Sequence, residues 1–369
     1  MNILLISYGN YEYDGRLREL CKVFDHIGNL YVFSRGINTK IVNHRLYTGK
    51  NYFNFIIKCI CYSKKIGKSF DLIVLDNRKS IIPGFIISKL INCKSIIYDC
   101  RELYISNEIK HFIGKLGCKI EKKCIKNAEI VIAANIHRAE IMKEIYNLKK
   151  QPLVFENYRS LEYSKIYSNN TKDKFNNYFN EGEIRIISTS GCDVERLNDV
   201  LVKNINKISV PCKLFLVGKN NPQHELNIKR IIKEKHLDNV YILGILNQDE
   251  LKYLISNCHI GIVNYNQSDM NNKYCASGKI FEFLYEGIPV VTTTNITLKT
   301  VCDEYNIGAY DDQFYSAKMC IRDSPENVYG FGHNPLYSNV ITAIETHTQP
   351  LVDAEDVYKR QGERRSGFE

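Results

Sequence analysis

The segment Ser277–Val291, SGKIFEFLYEGIPVV, constrains the fold of this chain more than any other part of the sequence. Small residues and Lys279 precede a short stretch with apolar residues at helical spacing, and Gly287 and Pro289 are typical of residues that end a helix. Two valines then begin an apolar strand. Because the free amides and positive dipole end at a helix start attract anions, this order predicts a phosphate-facing loop, a helix and a buried strand. Glu282 lies one turn into the predicted helix, where its carboxylate can reach a ligand lying over the helix start.

Strand-like and helix-like segments alternate along most of the chain. Short apolar runs predict strands at Ile3–Ser7, Asn29–Phe33, Asp71–Leu75, Ser95–Tyr98, Glu129–Ala133, Ile184–Ser188, Lys213–Val217, Val240–Gly244, Ile260–Val263 and Pro289–Thr292. Helical spacing predicts helices at Arg16–Ile27, Phe53–Lys65, Ile81–Asn92, Ile109–Lys126, His137–Tyr146, Val194–Ile205, Glu225–Lys235 and Asp249–Asn257. Continuous apolar strands separated by helices are typical of parallel sheets covered on both faces, so we predict an α/β protein.

A polar segment separates two series of predicted strands. Glu162–Gly182 is rich in Asn, Ser, Lys and Tyr and has little apolar periodicity, so we predict a linker over residues 161–182. A first Rossmann-like domain then covers residues 1–160 and a second covers residues 183–318. Because ligands of parallel sheets bind at the carboxyl ends of the strands, we expect a site in the cleft between the two domains.

Composition narrows the class of protein without choosing its function. The 369 residues include no run near the ~18 apolar residues of a membrane span, and Met1–Ser7 is typical of a first strand rather than a signal peptide. Most of the 13 cysteines lie singly in apolar runs, which predicts reduced core thiols in a cytosolic protein. The net charge of +9 fits an anionic partner, but no nucleic-acid module signature is visible, so we expect no nucleic acid partner.

The C-terminal segment differs in origin from the rest of the chain. Met319–Ser324 (MCIRDS) and Asp356–Gln361 (DVYKRQ) are translations of the string GATGTGTATAAGAGACAG in two frames, and that string resembles the transposon-end adapter of sequencing libraries. Two frames of one adapter in a single chain are not expected by chance. We therefore interpret residues 319–369 as an adapter-derived or chimeric tail and assign them no function.

Four motifs occur together in the order and spacing of a known family. They are Lys279–Val291, like K-[LI]-x-E-[YF]-[LM]-x-x-G-x-P-V-V; Ile97–Tyr104, like D-S-H-E-L-Y; Leu216–Gly218, like L-V-G; and Tyr241–Gly244 with Asp249–Leu251, like F-x-G…E-L. Over about residues 1–312 the chain resembles GT-B glycosyltransferases of the large retaining group 1, or family 4, class. The resemblance implies two Rossmann-like domains that face a central cleft.

The resemblance also implies roles for individual residues. Glu282 would bind the ribose hydroxyls of a donor nucleotide, since a carboxylate accepts two hydrogen bonds from a diol. Lys279 and the amides of Ser277 and Gly278 would hold the diphosphate, and Arg196 would neutralise that group as it leaves. For each charged residue the alternative is a solvated side chain on a helix surface. Further predicted ligand-binding residues are Ile280, Gly191 and Gly244 in the second domain, with Gly9 and Gly15 of the loop Tyr8–Arg16, which is equally consistent with a structural turn.

The implied reaction is transfer of a sugar from a nucleotide-diphosphate sugar to a glycan or lipid-linked acceptor, with retention, in bacterial surface-polysaccharide biosynthesis. Such a reaction is expected to need no protein nucleophile, because the leaving phosphate can deprotonate the acceptor. No D-x-D motif follows an apolar strand, so we expect neither a metal nor a cofactor. A GT-B sugar-nucleotide epimerase and a non-catalytic GT-B binding subunit stay open as alternatives.

The sequence departs from the family pattern at two places. Tyr274 stands where many members have a glutamate that contacts the donor hexose, so the donor sugar is not predicted. Arg101 stands in place of the histidine of D-S-H-E, and either a phosphate or charged acceptor or a structural salt bridge would explain it. Lys219 is a weaker alternative to Arg196 as the cation near the diphosphate. Because GT-B chains usually end in a helix that crosses back onto the first domain, we also expect the junction at Met319 to cut the second domain short.

One predicted helix combines basic and apolar residues. Lysines at positions 110, 115, 119, 122, 123 and 126 lie on or beside a segment that also contains Ile109, Phe112, Ile113, Leu116 and Ile120. Such a helix can bind an anionic membrane surface, which predicts a cytoplasmic protein located peripherally on the inner face of the plasma membrane. The alternative is an ordinary solvated helix face.

Overall fold

The structure is a computed structural model and describes residues 1–314, with gaps at residues 40, 68, 158–166, 209 and 313. The described residues fall into two compact units, one within Met1–Arg159 and one within Ser160–Ile344. The predicted tail, residues 319–369, and the predicted end of the second domain at residue 318 lie outside the described residues. Among the described residues, no helix is both long enough and apolar enough to span a bilayer.

The first unit consists of a parallel sheet and five α-helices. Its strands are β1 (Asn2–Asn10), β2 (Asn29–Arg35), β3 (His44–Tyr47), β4 (Phe70–Asp76), β5 (Cys93–Cys100), β6 (Ile130–Ala133) and β7 (Leu153–Val154). Its helices are α1 (Gly15–Ile27), α2 (Tyr52–Ile66), α3 (Ile81–Leu90), α4 (Phe112–Cys124) and α5 (Ile136–Tyr146). The strand order is β3-β2-β1-β4-β5-β6-β7 and the pairs are parallel.

The inner strands of the first sheet are apolar because helices cover both of its faces. Residues Ile3–Ile6 of β1 are fully buried, and so are Ile73, Val74 and Leu75 of the neighbouring β4. The chain runs towards one edge through α1 and towards the other edge through α2, α3 and α4. Because such crossovers are right-handed, α1 covers one face and α2 to α4 cover the opposite face. In agreement, α2 packs beside α3 and α3 packs beside α4.

The second unit repeats this architecture. Its strands are β8 (Ile184–Ser188), β9 (Cys212–Val217), β10 (Val240–Gly244), β11 (Ile260–Val263), β12 (Val290–Thr292) and β13 (Gly308–Tyr310). Its helices are α6 (Asn169–Asn176), α7 (Asn198–Asn204), α8 (Pro222–Glu234), α9 (Gln248–Ser256), α10 (Met270–Lys273), α11 (Gly278–Tyr285) and α12 (Ile296–Tyr305). The strand order is β10-β9-β8-β11-β12-β13, again with parallel pairs.

Two apolar clusters hold the second sheet between its helices. One contains Ile186 and Leu214 with residues of α7 and α8, and the other contains Ile187 and Phe215 with residues of α9, α11 and α12. Successive strand residues alternate between these clusters because their side chains point to opposite faces. The helix α11 therefore packs directly on the sheet, and this contact holds the helix in position.

The strands and helices predicted in both halves are confirmed as elements, with ends that differ by a few residues. The sequence analysis missed β3, β7, β13, α6, α10 and α12, which are mostly short or polar. The predicted linker at residues 161–182 differs most from the structure. Its first residues lie outside the described residues, but α6 occupies its middle and buries Phe175 in the second core, with Tyr178 and Phe179 packed against the same cluster. These aromatic residues have helical spacing, which the surrounding Asn and Lys residues obscured.

Candidate functional site

The candidate site lies at the carboxyl ends of the strands in the second unit. The order of the strands reverses between β8 and β11, and the loops that follow these two strands lead away to opposite sides. Parallel sheets bind ligands in the crevice that opens at such a point. The loop Thr189–Asp193 follows β8, the loop Asn264–Asp269 follows β11, and α11 begins beside them.

The start of α11 lacks a side-chain cap. Ser277 is the N-cap residue and has extended backbone angles, but its hydroxyl accepts no hydrogen bond from the first turn. Ser277 is only 5% exposed, and its Oγ has no hydrogen-bond partner among the described residues. A serine at this position normally accepts a bond from one of the free amides of the helix. The hydroxyl and the helix amides are therefore free of one another and can both donate to an anion.

Lys279 and Glu282 lie on this helix as predicted. The ammonium of Lys279 donates a hydrogen bond of 2.8 Å to the hydroxyl of Ser190, in the loop after β8. This bond brings the first turn of α11 to the switch point of the sheet. Glu282 follows one turn later, is half-buried, and has its Oε1 atom shielded from solvent. A carboxylate in this position can accept hydrogen bonds from two hydroxyls of a ligand.

Arg196 lies in a tight turn that requires a left-handed backbone conformation at the next residue. It ends a one-turn 3₁₀ helix whose N-cap is Asp193, and the next residue, Leu197, has φ 57°. A leucine in this left-handed region carries a cost of about 1 kcal/mol, and such residues cluster at functional sites. The guanidinium lies 3.7 Å from the ring centroid of Tyr265, and its Nη1 is buried without a partner among the described residues. Arg196 therefore does not fit the alternative of a solvated surface arginine.

Three glycines bring the loops after β8, β9 and β10 close together. The amide of Gly218 donates to the carbonyl of Gly244 at 2.7 Å, and the amide of Gly191 donates to Val217 at 2.8 Å. Gly191 has φ 63°, and an added Cβ would lie 2.5 Å from the side-chain oxygen of Asn220. A glycine is thus required at position 191 by the contact between the loops after β8 and β9. Lys219, which follows Gly218 in the loop after β9, has an exposed side chain. Ile280 is buried in the core below α11, so it supports the helix through packing.

Buried amides that the sequence analysis did not single out fix the geometry of these loops. The side chain of Asn198 is fully buried, donates to the carbonyl of Gly191 at 2.7 Å and accepts from Ser188 and Asn264. Asn295, also fully buried, donates to the carbonyl of Asn266. Asn266 in turn donates to the carbonyl of Glu195, next to Arg196. No local pattern marks these residues, because the bonds from Asn264 to Asn198, from Asn295 to Asn266 and from Asn266 to Glu195 join positions 29 or more apart in the sequence.

The second unit therefore gathers groups that attract an anion. Two cationic side chains, Lys279 and Arg196, lie on elements that meet at the switch point, together with the hydroxyl of Ser277. Thr189, the first residue after β8, has a buried Oγ1 that also lacks a partner among the described residues. Charged donors and free amides are the groups that bind phosphate in proteins. In the part of the chain that the structure describes, no group of three or more His, Cys, Asp or Glu residues could hold a metal ion.

The predicted loop of the first unit is occupied by its own side chains. An added Cβ at Gly9 would lie 2.5 Å from Oδ2 of Asp14, so the missing side chain makes room for that carboxylate. Asp14 caps α1 and accepts a 2.5 Å bond from Arg101, while Gly15 is the first residue of α1 and is buried. The structure thus explains Gly9 by an internal contact of the turn.

Arg101 takes part in a buried ion-pair network. Its guanidinium bonds Asp76 through two nitrogens and Asp14 through a third. Burial raises the pKa of Asp76 to about 6, although the charge of Arg101 opposes this effect. Burial alone would lower the pKa of Arg101, but the carboxylates of Asp76 and Asp14 raise it above its usual value. Of the two explanations that the sequence left open, the structure places Arg101 in a structural salt bridge.

A second ion pair anchors the start of α1. Arg16 bonds both oxygens of Asp99, at 2.7 and 2.6 Å, and also donates to the carbonyl of Phe155 and the side chain of Asn157. Both charged side chains are nearly fully buried. Through these bonds Arg16 and Asp99 connect the start of α1 to β5 and to the segment that follows β7.

Comparison with known proteins gives matches of structure but not of sequence. No protein-family model and no curated protein matches the sequence. Sucrose-phosphate synthase from Thermosynechococcus elongatus is 16% identical, over 99% of this chain and 100% of that chain, with a TM-score of 0.70. The Anabaena protein HepE, in complex with UDP and glucose, is 13% identical over 98% and 100%, with a TM-score of 0.72.

Further similar structures include WaaG, a glycosyltransferase involved in lipopolysaccharide biosynthesis, which is 13% identical over 96% and 99% of the two chains, with a TM-score of 0.63. The UDP-GlcNAc 2-epimerase of Methanocaldococcus jannaschii matches at 11% identity over 94% and 99%, with a lower TM-score of 0.54. At these identities the similarity concerns the fold. Together with the two parallel-sheet units, it identifies an α/β, two-domain GT-B fold, as the sequence predicted.

Proposed function

We propose that this protein is a glycosyltransferase that takes a sugar from a nucleotide-diphosphate sugar. The observation that carries the proposal is the anion-attracting start of α11, where Lys279 bonds Ser190 and the buried hydroxyl of Ser277 lacks a partner among the described residues. The similar HepE structure contains UDP and glucose, which supports a nucleotide-sugar donor for this chain. The donor class rests on this geometry, while the base and the sugar are not assigned.

In the proposed reaction, the second unit stabilises the leaving nucleotide diphosphate. The amides of Ser277 and Gly278 and the ammonium of Lys279 bind the diphosphate, and Glu282 accepts hydrogen bonds from the ribose hydroxyls. Arg196 is fixed against the Tyr265 ring and supplies a positive charge that is already in place when the bond to the sugar breaks. Preorganised charges of this kind stabilise the transition state without further reorganisation.

The acceptor is proposed to be a glycan or a lipid-linked sugar in bacterial surface-polysaccharide biosynthesis. WaaG, a structural neighbour that acts in lipopolysaccharide biosynthesis, supports this class of acceptor. We further propose that transfer occurs with retention, without a protein nucleophile, metal or cofactor, and on the cytoplasmic side of the membrane. These statements extend the family resemblance of the motifs around Glu282.

A donor panel tests the proposal directly. Purified protein is incubated with UDP-, GDP- and ADP-sugars, with and without a membrane extract as the source of acceptor. We expect release of one nucleotide diphosphate that depends on the acceptor, and strong loss of this release in the Glu282→Gln variant. Acceptor-independent conversion of a sugar nucleotide to its epimer would favour the epimerase alternative, and binding without turnover would favour a non-catalytic subunit.

A further inference from the structure

Three neighbouring helices of the first unit form a continuous layer on one face of its sheet. The helix α3 lies between α2 and α4 and packs against both. The next helix, α5, exposes two carboxylates, Glu140 and Glu144, and so differs in charge from this layer. We call the outer surface of α2, α3 and α4 the lysine face.

All exposed charged residues on the lysine face are positive. The three helices contain eight lysines, and all of them are exposed: Lys58, Lys64 and Lys65 on α2, Lys89 on α3, and Lys115, Lys119, Lys122 and Lys123 on α4. Asp is absent from the three helices, and their one Glu is Glu121. Lys110 and Lys126 extend the same surface at the two ends of α4.

The single acidic residue of these helices points inward. Glu121 is fully buried, and its carboxylate accepts a 2.5 Å hydrogen bond from the hydroxyl of Tyr98 in the sheet. Burial also raises the pKa of this carboxyl above its usual value. The helices α2, α3 and α4 themselves therefore carry no exposed carboxylate that could neutralise their lysines.

Large apolar side chains are exposed on the same face. Phe112 and Ile113 begin α4 with 78% and 81% of their surface exposed, and Leu116 follows one turn later at 44%. On α2, Phe53 and Ile57 are 76% and 58% exposed, one helical turn apart. These residues lie in the first turns of two helices that both start at the carboxyl edge of the sheet. Exposed apolar residues grouped in this way mark an interaction surface.

From these observations we propose that the lysine face binds the surface of an anionic lipid bilayer, with the first turns of α2 and α4 inserted among the headgroups. Lysines attract the negative surface of the leaflet, while aromatic and aliphatic side chains enter the boundary between headgroups and acyl chains. The sequence analysis assigned this property to one helix, whereas the structure extends it to three. The proposal does not depend on the proposed catalytic activity.

The apolar residues favour a lipid surface over a nucleic acid. A nucleic-acid surface would need cations along a groove and side chains that hydrogen-bond bases or stack on them. The exposed rings of Phe53 and Phe112 are able to stack on bases, but the aliphatic residues Ile57, Ile113 and Leu116 offer no such contacts. The three helices also contain no arginine. Hydrocarbon is the partner that gains most from burying them.

Vesicle co-sedimentation of the full chain tests the proposal. The wild-type protein is mixed with vesicles of phosphatidylcholine alone and with vesicles that also contain phosphatidylglycerol. We expect the wild type to bind the anionic vesicles only. In the double variant Lys122→Gln, Lys123→Gln, the affinity for these vesicles should fall by about fivefold for each lysine removed. A variant with Phe112→Ser and Ile113→Ser should lose about tenfold or more, although it keeps all the lysines.

Matched variants of the second unit serve as controls. The double variant Lys233→Gln, Lys235→Gln removes two exposed lysines at the C-terminal end of α8, one in its last turn and one just after it. The variant Leu226→Ser removes an apolar side chain of α8 that is 62% exposed. Both controls should bind vesicles like the wild type. Equal binding to neutral and anionic vesicles, equal losses in the control variants, or displacement of the vesicles by single-stranded RNA would overturn the proposal.

Discussion

Replacing Arg196 with methionine distinguishes the proposed catalytic role of its guanidinium from any role in stability. Methionine keeps an unbranched side chain against the ring of Tyr265 but removes the charge and the N–H donors. The buried Nη1 has no acceptor among the described residues, so its loss leaves no other group unpaired. The contact with the ring contributes about 0.5–1 kcal/mol, so we expect the free energy of unfolding to fall by no more than that.

The expected effect on the reaction is much larger. A donor that is fixed in place where negative charge develops contributes ~2.7–4 kcal/mol to transition-state stabilisation, which corresponds to about 10²–10³ in kcat. We therefore expect Arg196→Met to lower kcat by about this factor while the protein stays folded. The ratio of the two effects distinguishes a catalytic charge from a structural one.

The assay measures release of the nucleotide diphosphate from the active donor, beside urea unfolding of the same preparations. Lys219→Met is the matched control, because it removes an exposed cation from the neighbouring loop after β9. An equal loss of kcat in both variants would indicate a general effect of charge. A kcat of Arg196→Met close to that of the wild type, or a fall of several kcal/mol in unfolding free energy, would refute the reasoning.

Three further predictions concern packing, positioning and pH. Gly261→Ala should lower the free energy of urea unfolding by about 1–3 kcal/mol, because its Cβ would lie 2.4 Å from the ring of Phe283, whereas Gly117→Ala, with nothing nearer than 3.6 Å, should not. Tyr265→Leu should weaken UDP binding in calorimetry, whereas Tyr265→Phe keeps the ring and should bind UDP like the wild type. Burial raises the pKa of the Glu121 carboxyl above 4.5, so the free energy of unfolding of the wild type should fall as pH rises through the folded-state pKa. The Glu121→Gln variant should not show this loss. Parallel profiles of unfolding free energy for the two proteins from about pH 4 to pH 7 would contradict this prediction.

The sequence predicted the elements that bury long apolar runs. The strand at Ile3–Ser7 and its counterpart at Ile184–Ser188 are inner strands of the two sheets, where burial on both faces requires continuous apolar residues. The strand His44–Tyr47 was missed because it lies at the edge of its sheet and only Tyr47 is buried. The helix Asn169–Asn176 was missed because one buried aromatic residue fixes it among polar neighbours.

The candidate site was predictable where it depends on adjacent residues. Ser277, Lys279 and Glu282 follow one another at the start of a single helix, so their spacing alone predicted that they would lie together there. The residues that support the site were not predictable in this way. Asn198 bonds Asn264 across 66 positions of the sequence, and only the folded sheet brings them together.

The orientation of α4 shows the same limit. Periodicity indicated a basic helix with apolar residues, but it did not indicate that Phe112 and Ile113 are exposed while Glu121 is buried. The inward position of Glu121 depends on the hydroxyl of Tyr98, which reaches it from β5. A buried carboxyl is tolerated only when it is hydrogen-bonded, and the sequence does not display that partner.

The central claim is that the start of α11 binds the diphosphate of a nucleotide. A crystal structure of the protein grown with UDP tests this claim most directly. We expect the diphosphate to contact the amides of Ser277 and Gly278 and the ammonium of Lys279, with the ribose hydroxyls at Glu282. Nucleotide bound elsewhere in the second unit, or none at a concentration that saturates binding in solution, would contradict the account.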